Sequence, residues 1–176
     1  MSEMKEITWY GRGGQGAFTA SRVLGAAAML AGYQSLAFPS FGPERRGAPI
    51  RAFTKISDRT ITDRSIPVKS DYIVILDDSL YDPSLAGSLK EGGSIIVNTA
   101  ESLTAPEGVK LISGDISGYA EEILGRPIVN IGIIGMLRKV FTDIDEQYIY
   151  RSVEEYMPRK TVEKNKVLLE KVISLQ

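Results

Sequence analysis

The residues whose types and spacing could do chemistry begin with a glycine-rich run, WYGRGGQG, at residues 9–16. Four of its last six residues are glycine, so the backbone can adopt positive φ angles and expose N–H groups to a ligand. A short apolar stretch, residues 6–10, has strand character, and residues 17–31 are rich in small side chains and predict a helix. Unpaired amides and the positive end of a helix dipole would then point at the glycine turn, which favours an anion there.

A second motif, FPSFGPERRGAP at residues 38–49, follows the next predicted strand. Its three prolines restrict the backbone, and its aromatic residues favour a contact surface over a solvated turn. Arg45 and Arg46 could clamp a phosphate or carboxylate, and Arg12 could join them if the two motifs meet. Loops that follow parallel strands converge at one edge of a sheet. We therefore predict a single binding site formed by Gly11, Arg12, Gly13, Gly14, Gln15, Gly16, Ser40, Gly42, Glu44, Arg45, Arg46 and Gly47.

The glycine run also resembles a dinucleotide-binding fingerprint. Gly11, Gly13 and Gly16 match G-x-G-x-x-G between a predicted strand and a predicted helix. A Rossmann site has in addition an acidic residue at the end of the second strand, which holds the ribose. Residues 38–40, Phe-Pro-Ser, occupy that place here. Because the nearby arginines could suit a 2′-phosphate, a free-standing NADP-dependent reductase remains an alternative.

Side chains for catalysis or metal binding are few. The chain contains no histidine and no cysteine, which removes the commonest general base, the commonest metal ligand and the ligands of iron–sulfur clusters. Asp77 and Asp78 end an apolar run and could act as an acid–base pair, but capping of the following turn is the simpler interpretation. We assign no catalytic residue and no metal ligand to this chain. The pattern favours a role that depends on partners.

Length and composition set further limits. With 176 residues, 43% hydrophobic and 24% charged, the chain has the proportions of one globular domain, residues 1–176. The net charge of −1 and the scattered lysines and arginines argue against nucleic-acid binding. No apolar run is long enough to span a membrane, and the N-terminus lacks the apolar core of a signal peptide. We therefore expect a cytoplasmic protein without membrane contact.

The remaining pattern alternates strands and helices. Apolar or alternating runs predict further strands at residues 34–38, 50–56, 72–76, 94–98 and 109–112. A turn after the second of these suggests a hairpin partner around residues 60–62. After residues 126–127, Arg-Pro, the pattern is helical. The chain is thus predicted to be a three-layer, Rossmann-like α/β domain with a mostly parallel central sheet and a helical C-terminal tail.

The two long motifs together resemble the gamma subunit of the pyruvate (2-oxoacid):ferredoxin oxidoreductases. The resemblance extends through residues 56–58, 71–75 and 129–132, and therefore covers most of the chain. The versions of the motifs in this sequence are closer to the pyruvate and branched-chain oxoacid branch than to the 2-oxoglutarate branch.

The resemblance implies a subunit rather than a complete enzyme. In this family alpha and beta chains hold thiamine diphosphate, a delta chain or fused domain carries [4Fe-4S] clusters, and ferredoxin accepts the electrons of an oxidative decarboxylation that forms acyl-CoA. The implied partners are thus alpha, beta and delta subunits, with no cofactor bound by this chain alone. We expect residues 11–16 and 40–47 to form one surface that docks on alpha and beta and helps to hold CoA. A purely structural assembly module is the second alternative.

Overall fold

A computed structural model describes residues 3–40 and 47–175, and they form one mixed six-stranded sheet with helices on both faces. The strands are β1 (Lys5–Arg12), β2 (Gln34–Pro39), β3 (Pro49–Ser57), β4 (Ser70–Ile75), β5 (Leu89–Asn98) and β6 (Lys110–Gly114). The α-helices are α1 (Ala17–Leu30), α2 (Ile116–Leu124), α3 (Gly132–Leu137), α4 (Glu146–Tyr156) and α5 (Arg159–Ser174). Two short 3₁₀ helices, Asp78–Leu80 and Pro83–Ser88, lie between β4 and β5.

In the strand order β2-β3-β1-β4-β5-β6, only β3 runs in the opposite direction to the other strands. Strands β1, β4, β5 and β6 pair in parallel, as the apolar runs predicted. Strand β3 is antiparallel to both β1 and β2 and lies between them, with Trp9 opposite Ala52. The strands β1, β2, β4, β5 and β6 therefore all end at the same edge of the sheet, which we call the carboxyl edge.

The two faces of the sheet are covered differently. The connection from β1 to β2 and the connections from β4 to β6 run in opposite directions across the sheet, so right-handed crossovers place them on opposite faces. All five α-helices contribute to the larger core, which packs on Trp9, Val74 and Ile96. The smaller core, around Ile75 and Val97, is covered by the 3₁₀ helices and the loop before β6. This arrangement is the expected three-layer α/β fold with a helical C-terminal segment.

A network of ion pairs crosses β1, β3, β4 and β5 on the face opposite the α-helices. Lys55 is fully buried, and its Nζ lies 3.2 Å from Glu6 Oε1 and 2.8 Å from Asp63 Oδ2. Lys90 Nζ lies 3.1 Å from the other oxygen of Glu6 and 2.8 Å from Asp71. Because Asp63 belongs to the connection between β3 and β4, the network holds that connection against the sheet.

One local prediction was wrong. Residues 60–62 are not a strand, because β3 already has β1 and β2 as its neighbours. Residues 92–93, Gly-Gly, lie within β5. The last helix, α5, begins at Arg159, and the Thr161 hydroxyl donates to the carbonyl of Pro158. The missing strand does not affect the carboxyl edge.

Candidate binding site at the carboxyl edge

The glycine turn has the conformation that its sequence predicted. Gly14 and Gly16 have φ angles of 95° and 83°, in the left-handed region that favours glycine. Gly16 precedes α1 and provides no side-chain cap, so the first amides of the helix remain uncapped. Gly11 is still within β1, and a Cβ there would lie 3.2 Å from the Cβ of Ala17. The turn therefore needs glycine both for its backbone angles and for close packing between β1 and α1.

The two sequence motifs meet at this edge. The Gly13 amide donates to the carbonyl of Ala48 at 2.9 Å, and the Gly47 amide donates to the carbonyl of Gly13 at 3.2 Å. Ser40 follows β2, and its amide donates to the carbonyl of Arg51 on β3. The predicted site residues Gly42, Glu44, Arg45 and Arg46 lie outside the described residues.

Arg12 is engaged by the protein itself. Its Nε lies 3.4 Å from Asp77 Oδ2, its Nη2 donates to the Ser79 hydroxyl at 2.7 Å, and its Nη1 donates to the carbonyl of Gly47 at 3.1 Å. Gln15 completes the cluster, because its Oε1 accepts from the Arg12 amide and its Nε2 donates to Asp77, both at 2.7 Å. The guanidinium thus ties β1 to the loop before β3 and to the loop after β4.

Asp77 is the anion at the centre of this cluster. Partial burial raises the pKa of its carboxyl, but hydrogen bonds from Ser79 and Gln15 and the charge of Arg12 outweigh burial and hold the pKa below its ordinary value. Its carboxylate also caps the 3₁₀ helix by accepting from the Ser79 amide. The capping interpretation of Asp77 is therefore confirmed. The neighbouring Asp78 instead accepts from the Thr99 hydroxyl at 2.6 Å.

An acidic cleft of about 560 Å³ opens beside this cluster, between the ends of β4, β5 and β6. Asp77, Asp78 and Asp115 contribute carboxylates to its lining. Asn98 also lines this cleft, and its Oδ1 accepts hydrogen bonds from the amides of Ile116 and Ser117 at the start of α2. A cleft with this charge suits a cation or a hydrogen-bond donor better than a phosphate.

A second cleft, of about 400 Å³, lies on the other side of the glycine turn, between the start of α1 and the turn that joins α4 to α5. Gly16, Asn130 and Thr161 are among its polar lining, and Arg126 and Lys164 give it positive charge. Gly14, Gln15 and Ile128 line both clefts. We call these two spaces the acidic cleft and the basic cleft.

Sequence reasoning missed Asn98 and Asn130 as parts of the site. Asn98 ends β5 at the carboxyl edge, a position from which the predicted topology could have identified it. Asn130 is a polar residue inside an otherwise apolar run and is 5% exposed. A buried amide side chain in such a run signals a specific hydrogen-bonding role.

The fold does not reproduce the geometry of a Rossmann dinucleotide site. In that arrangement the second parallel strand is adjacent to the first, so that an acid at its end reaches the ribose. Here β3 separates β2 from β1, which places the end of β2 about 10 Å from β1 instead of about 5 Å. The fold and the edge therefore define an α/β domain with a glycine-rich binding edge of a type different from the dinucleotide-binding domains.

Comparison with known proteins identifies the group to which this domain belongs. The family model of pyruvate ferredoxin/flavodoxin oxidoreductase matches residues 6–175. The chain belongs to this family.

Among its relatives, the pyruvate synthase subunit PorC of Methanothermobacter marburgensis is 43% identical over 92% of both chains. The common gamma subunit of the pyruvate/ketoisovalerate oxidoreductases of Thermococcus kodakarensis is 41% identical, over 92% of this chain and 91% of that one. The crystal structure of the pyruvate oxidoreductase subunit PORC of Thermotoga maritima superposes with a TM-score of 0.84 at 31% identity, over 98% of this chain and 96% of that one. The predicted resemblance to gamma subunits is confirmed.

Two features are absent from the described part of the chain. None of its helices is long and apolar enough to cross a membrane. Residues 3–40 and 47–175 contain no group of three or more acidic side chains arranged to hold a metal ion.

Proposed function

We propose that this chain is the gamma subunit of a CoA-acylating 2-oxoacid:ferredoxin oxidoreductase, with pyruvate as the substrate of the complex. In this proposal it docks on alpha and beta subunits that hold thiamine diphosphate, and a delta chain carries the [4Fe-4S] clusters to ferredoxin. The observation that carries the proposal is the full-length similarity to gamma subunits named for pyruvate and ketoisovalerate oxidoreductases. The cytoplasm is the proposed location.

The docking surface is the joined pair of motifs at the carboxyl edge. Backbone hydrogen bonds between Gly13 and residues 47–48 support this assignment, because they hold the glycine turn against the end of the second motif. Joining these backbone segments before a partner arrives lowers the entropy cost of binding.

The same surface is proposed to help hold CoA through Arg45 and Arg46. The structure changes the part assigned to Arg12, because its guanidinium already contacts Asp77, Ser79 and Gly47. We therefore assign Arg12 to positioning of the loop, and leave contact with the CoA diphosphate to the two arginines, which suit bidentate binding of phosphate.

The subunit assignment is tested by anaerobic purification of the tagged chain from its native cells. We expect larger, thiamine-containing chains to co-purify, together with pyruvate- and CoA-dependent reduction of an artificial electron acceptor. A chain that purifies alone, shows no such activity and binds NADP would overturn the assignment in favour of the free-standing reductase.

The CoA assignment is tested in the assembled complex with the double variant Arg45→Ala/Arg46→Ala. Loss of charge-assisted hydrogen bonds to a diphosphate should raise the KM for CoA at least about tenfold, with the KM for pyruvate unchanged. The matched control is Arg59→Ala/Arg64→Ala, which removes two exposed arginines between β3 and β4. An unchanged KM for CoA in a correctly assembled variant complex would leave the gamma chain as a structural assembly module.

A further inference from the structure

Strand β2 forms one edge of the sheet and presents unpaired backbone groups there. It pairs only with β3, and the hydrogen bond from the Ser40 amide to the carbonyl of Arg51 fixes which residues of β2 face β3. In antiparallel pairing the residues that face the neighbouring strand alternate with those that face away from it. The N–H and C=O groups of Ser35 and Ala37 therefore point away from β3, and they have no partner among the described residues. Such an edge can pair with a further strand.

A groove of about 150 Å³ lies beside this edge, between β2 and the outer face of α1. Its helical wall has the three- and four-residue spacing of one helix face, formed by Arg22, Gly25, Ala26 and Met29. Tyr156 of α4 also lines the groove. Met29 is 62% exposed and Tyr156 is 44% exposed, so two of the five large exposed hydrophobic side chains in the described part of the chain lie here. Apolar side chains beside an unpaired sheet edge indicate a surface that another protein covers.

The edge of β2 is complementary to a second copy of itself. When two copies of β2 pair antiparallel about a two-fold axis at Leu36, Ser35 of each copy lies opposite Ala37 of the other. Each such pair exchanges two hydrogen bonds, so the two pairs use every unpaired N–H and C=O group of these residues. Pro39, which has no N–H, then lies opposite Tyr33 of the other copy, whose N–H already donates within its own chain. The paired ladder therefore ends without an unsatisfied donor.

The α1 helices of the two copies would meet over the same axis. A Cβ on Gly25 would lie 2.7 Å from Ser35 Oγ on β2 and 3.8 Å from Thr54 Cγ2 on β3, so α1 lies above the space between these two strands. Because neighbouring strands are about 4.8 Å apart, the two helix axes would be about 10 Å apart. This is the distance at which helices pack against each other.

The side chains of α1 suit this crossing. A Cβ on Gly25 would also lie 3.4 Å from the Cβ of Ala37, so this part of the helix is level with the two-fold axis. Gly25 and Ala26 thus place small side chains where the helices cross. Arg22 and Met29 lie about one turn before and after this point. Because the two helices run in opposite directions, Met29 of one copy would lie beside Arg22 of the other and be covered there.

The contact has the size of a small but specific interface. Strand β2 has six residues and α1 has 14, so each is about 20 Å long, and the sheet and helix layers together are about 20 Å high. A footprint of these dimensions buries on the order of 1,000 Å² over both copies, near the lower limit for specific interfaces. We therefore expect a dimer with a micromolar dissociation constant.

We infer that two copies of this chain associate through the edge of β2 and the outer face of α1, as a symmetric dimer with one continuous sheet. The contact uses neither the acidic cleft nor the basic cleft, and it does not depend on the proposed function. In a gamma subunit it would join two complexes into one larger assembly.

The inference is tested on the full chain in isolation, by sedimentation velocity over a range of concentrations. We expect a species of twice the 19.3 kDa of the chain at about 100 μM, which dissociates on dilution into the low micromolar range. A chain that stays monomeric at the highest concentration would overturn the inference.

Amide hydrogen exchange identifies the surface that associates. The amides of Ser35 and Ala37 should exchange slowly in the dimer and rapidly in the dilute monomer, because the second copy supplies their acceptors. A dimer in which both amides exchange rapidly would use another surface and contradict the inference. Protection that appears only after addition of another chain of the native complex would assign the edge to a strand of that chain, which also contradicts it.

Ala37→Pro tests the paired strands. Proline is tolerated at an edge position whose N–H faces solvent, so the pairing of β2 with β3 should persist. The variant removes one outward donor from each copy and should raise the dissociation constant of the dimer at least about tenfold. An unchanged dissociation constant would exclude pairing through this residue.

Met29→Lys tests the helix crossing, because it places a positive charge beside Arg22 of the other copy. It should weaken the dimer at least about tenfold without changing the urea midpoint of the dilute monomer. Val167→Lys, at an apolar position on α5 that is 51% exposed and outside the groove, is the matched control. Arg22→Glu/Met29→Lys should restore the dimer, because opposite charges then face each other across the crossing. Equal weakening by Val167→Lys, or a double variant as weak as Met29→Lys, would contradict the proposed arrangement.

Discussion

At the scale of single residues, Gly16 carries two constraints at once. Its φ of 83° is strained for any residue with a side chain, and a Cβ would collide with Asn130 Nδ2 at 2.6 Å. Gly16→Ala should therefore lower the free energy of unfolding by about 2–3 kcal/mol, measured by urea denaturation. Gly14→Ala is the control, because its φ is 95° but its Cβ would meet open space, so only the backbone term of about 1–2 kcal/mol applies. Equal losses of unfolding free energy in the two variants would mean that the Asn130 side chain moves aside without cost.

The lowered pKa of Asp77 predicts how the stability of the protein depends on pH. Its pKa is lowered in the folded protein, so its contribution to stability is present above the unfolded pKa, near 3.8, and is lost as the pH falls through the folded value. Asp77→Asn should therefore be less stable than the wild type at pH 6, by about 1 kcal/mol.

The difference between Asp77→Asn and the wild type should shrink as the pH is lowered toward 3. Chemical denaturation at several pH values measures it. Asp82→Asn is a useful comparison, because the pKa of Asp82 is also lowered, by hydrogen bonds from Ser84, but it lies outside the Arg12 cluster. A difference that stays constant between pH 6 and pH 3 would contradict the assigned role of the Asp77 carboxylate.

The sequence predicted the backbone conformation of the glycine turn, but not the contacts of the Arg12 side chain with other parts of the protein. Positive φ angles are a local property that glycine spacing reveals, and Gly14 and Gly16 follow it. The partners of Arg12 include Asp77 and Ser79, more than sixty positions away in the chain. A side chain's availability to a ligand depends on such distant partners, and no local pattern encodes them.

At the scale of the elements, the buried Lys55 links β3 to β1 and to the connection that follows β3. Lys55→Met keeps most of the side-chain volume but leaves Glu6 with Lys90 as its remaining cation. Removing one partner of a buried ion pair typically destabilises a protein by about 3 kcal/mol or more. We expect a loss of this order in thermal or urea unfolding.

Two further variants serve as controls for Lys55→Met. Asp63→Asn should destabilise the protein much less than Lys55→Met, because the Asp63 side chain is 56% exposed and water screens the pair. Glu6→Gln/Lys55→Met should recover part of the loss, because it also removes the carboxylate that has lost one of its two cations. A Lys55→Met protein as stable as the wild type would show that the buried ion pair adds nothing over an apolar side chain.

The order of the strands was only partly predictable. Continuous apolar runs identified β4 and β5 as strands covered on both faces, and both are central. The alternating pattern of β3 identified a strand without its direction, because side chains alternate in the same way in parallel and antiparallel pairing. The antiparallel insertion of β3 between β1 and β2 is therefore a property of long-range pairing that the sequence pattern left open.

At the scale of the whole molecule, the helical C-terminal segment and the sheet are predicted to unfold together as one domain. Leu168 in α5 is fully buried and belongs to the same core as Trp9, the single tryptophan, on β1. Leu168→Ala should lower the free energy of unfolding by about 2–5 kcal/mol. Tryptophan fluorescence and far-ultraviolet circular dichroism should report the same midpoint. A variant in which the dichroism changes first, with fluorescence unaffected, would indicate that residues 126–175 form a separate unit.

Gln15 lines both clefts and donates to Asp77, and together with Gly14 and Ile128 it forms the wall that the two spaces share. A molecule that rotates this carboxamide from one side changes the surface offered to a molecule on the other side. Thermodynamic reciprocity then requires each occupant to alter the affinity of the other by the same factor. The glycine turn would then couple the occupancy of one cleft to the affinity of the other, without any movement of the sheet.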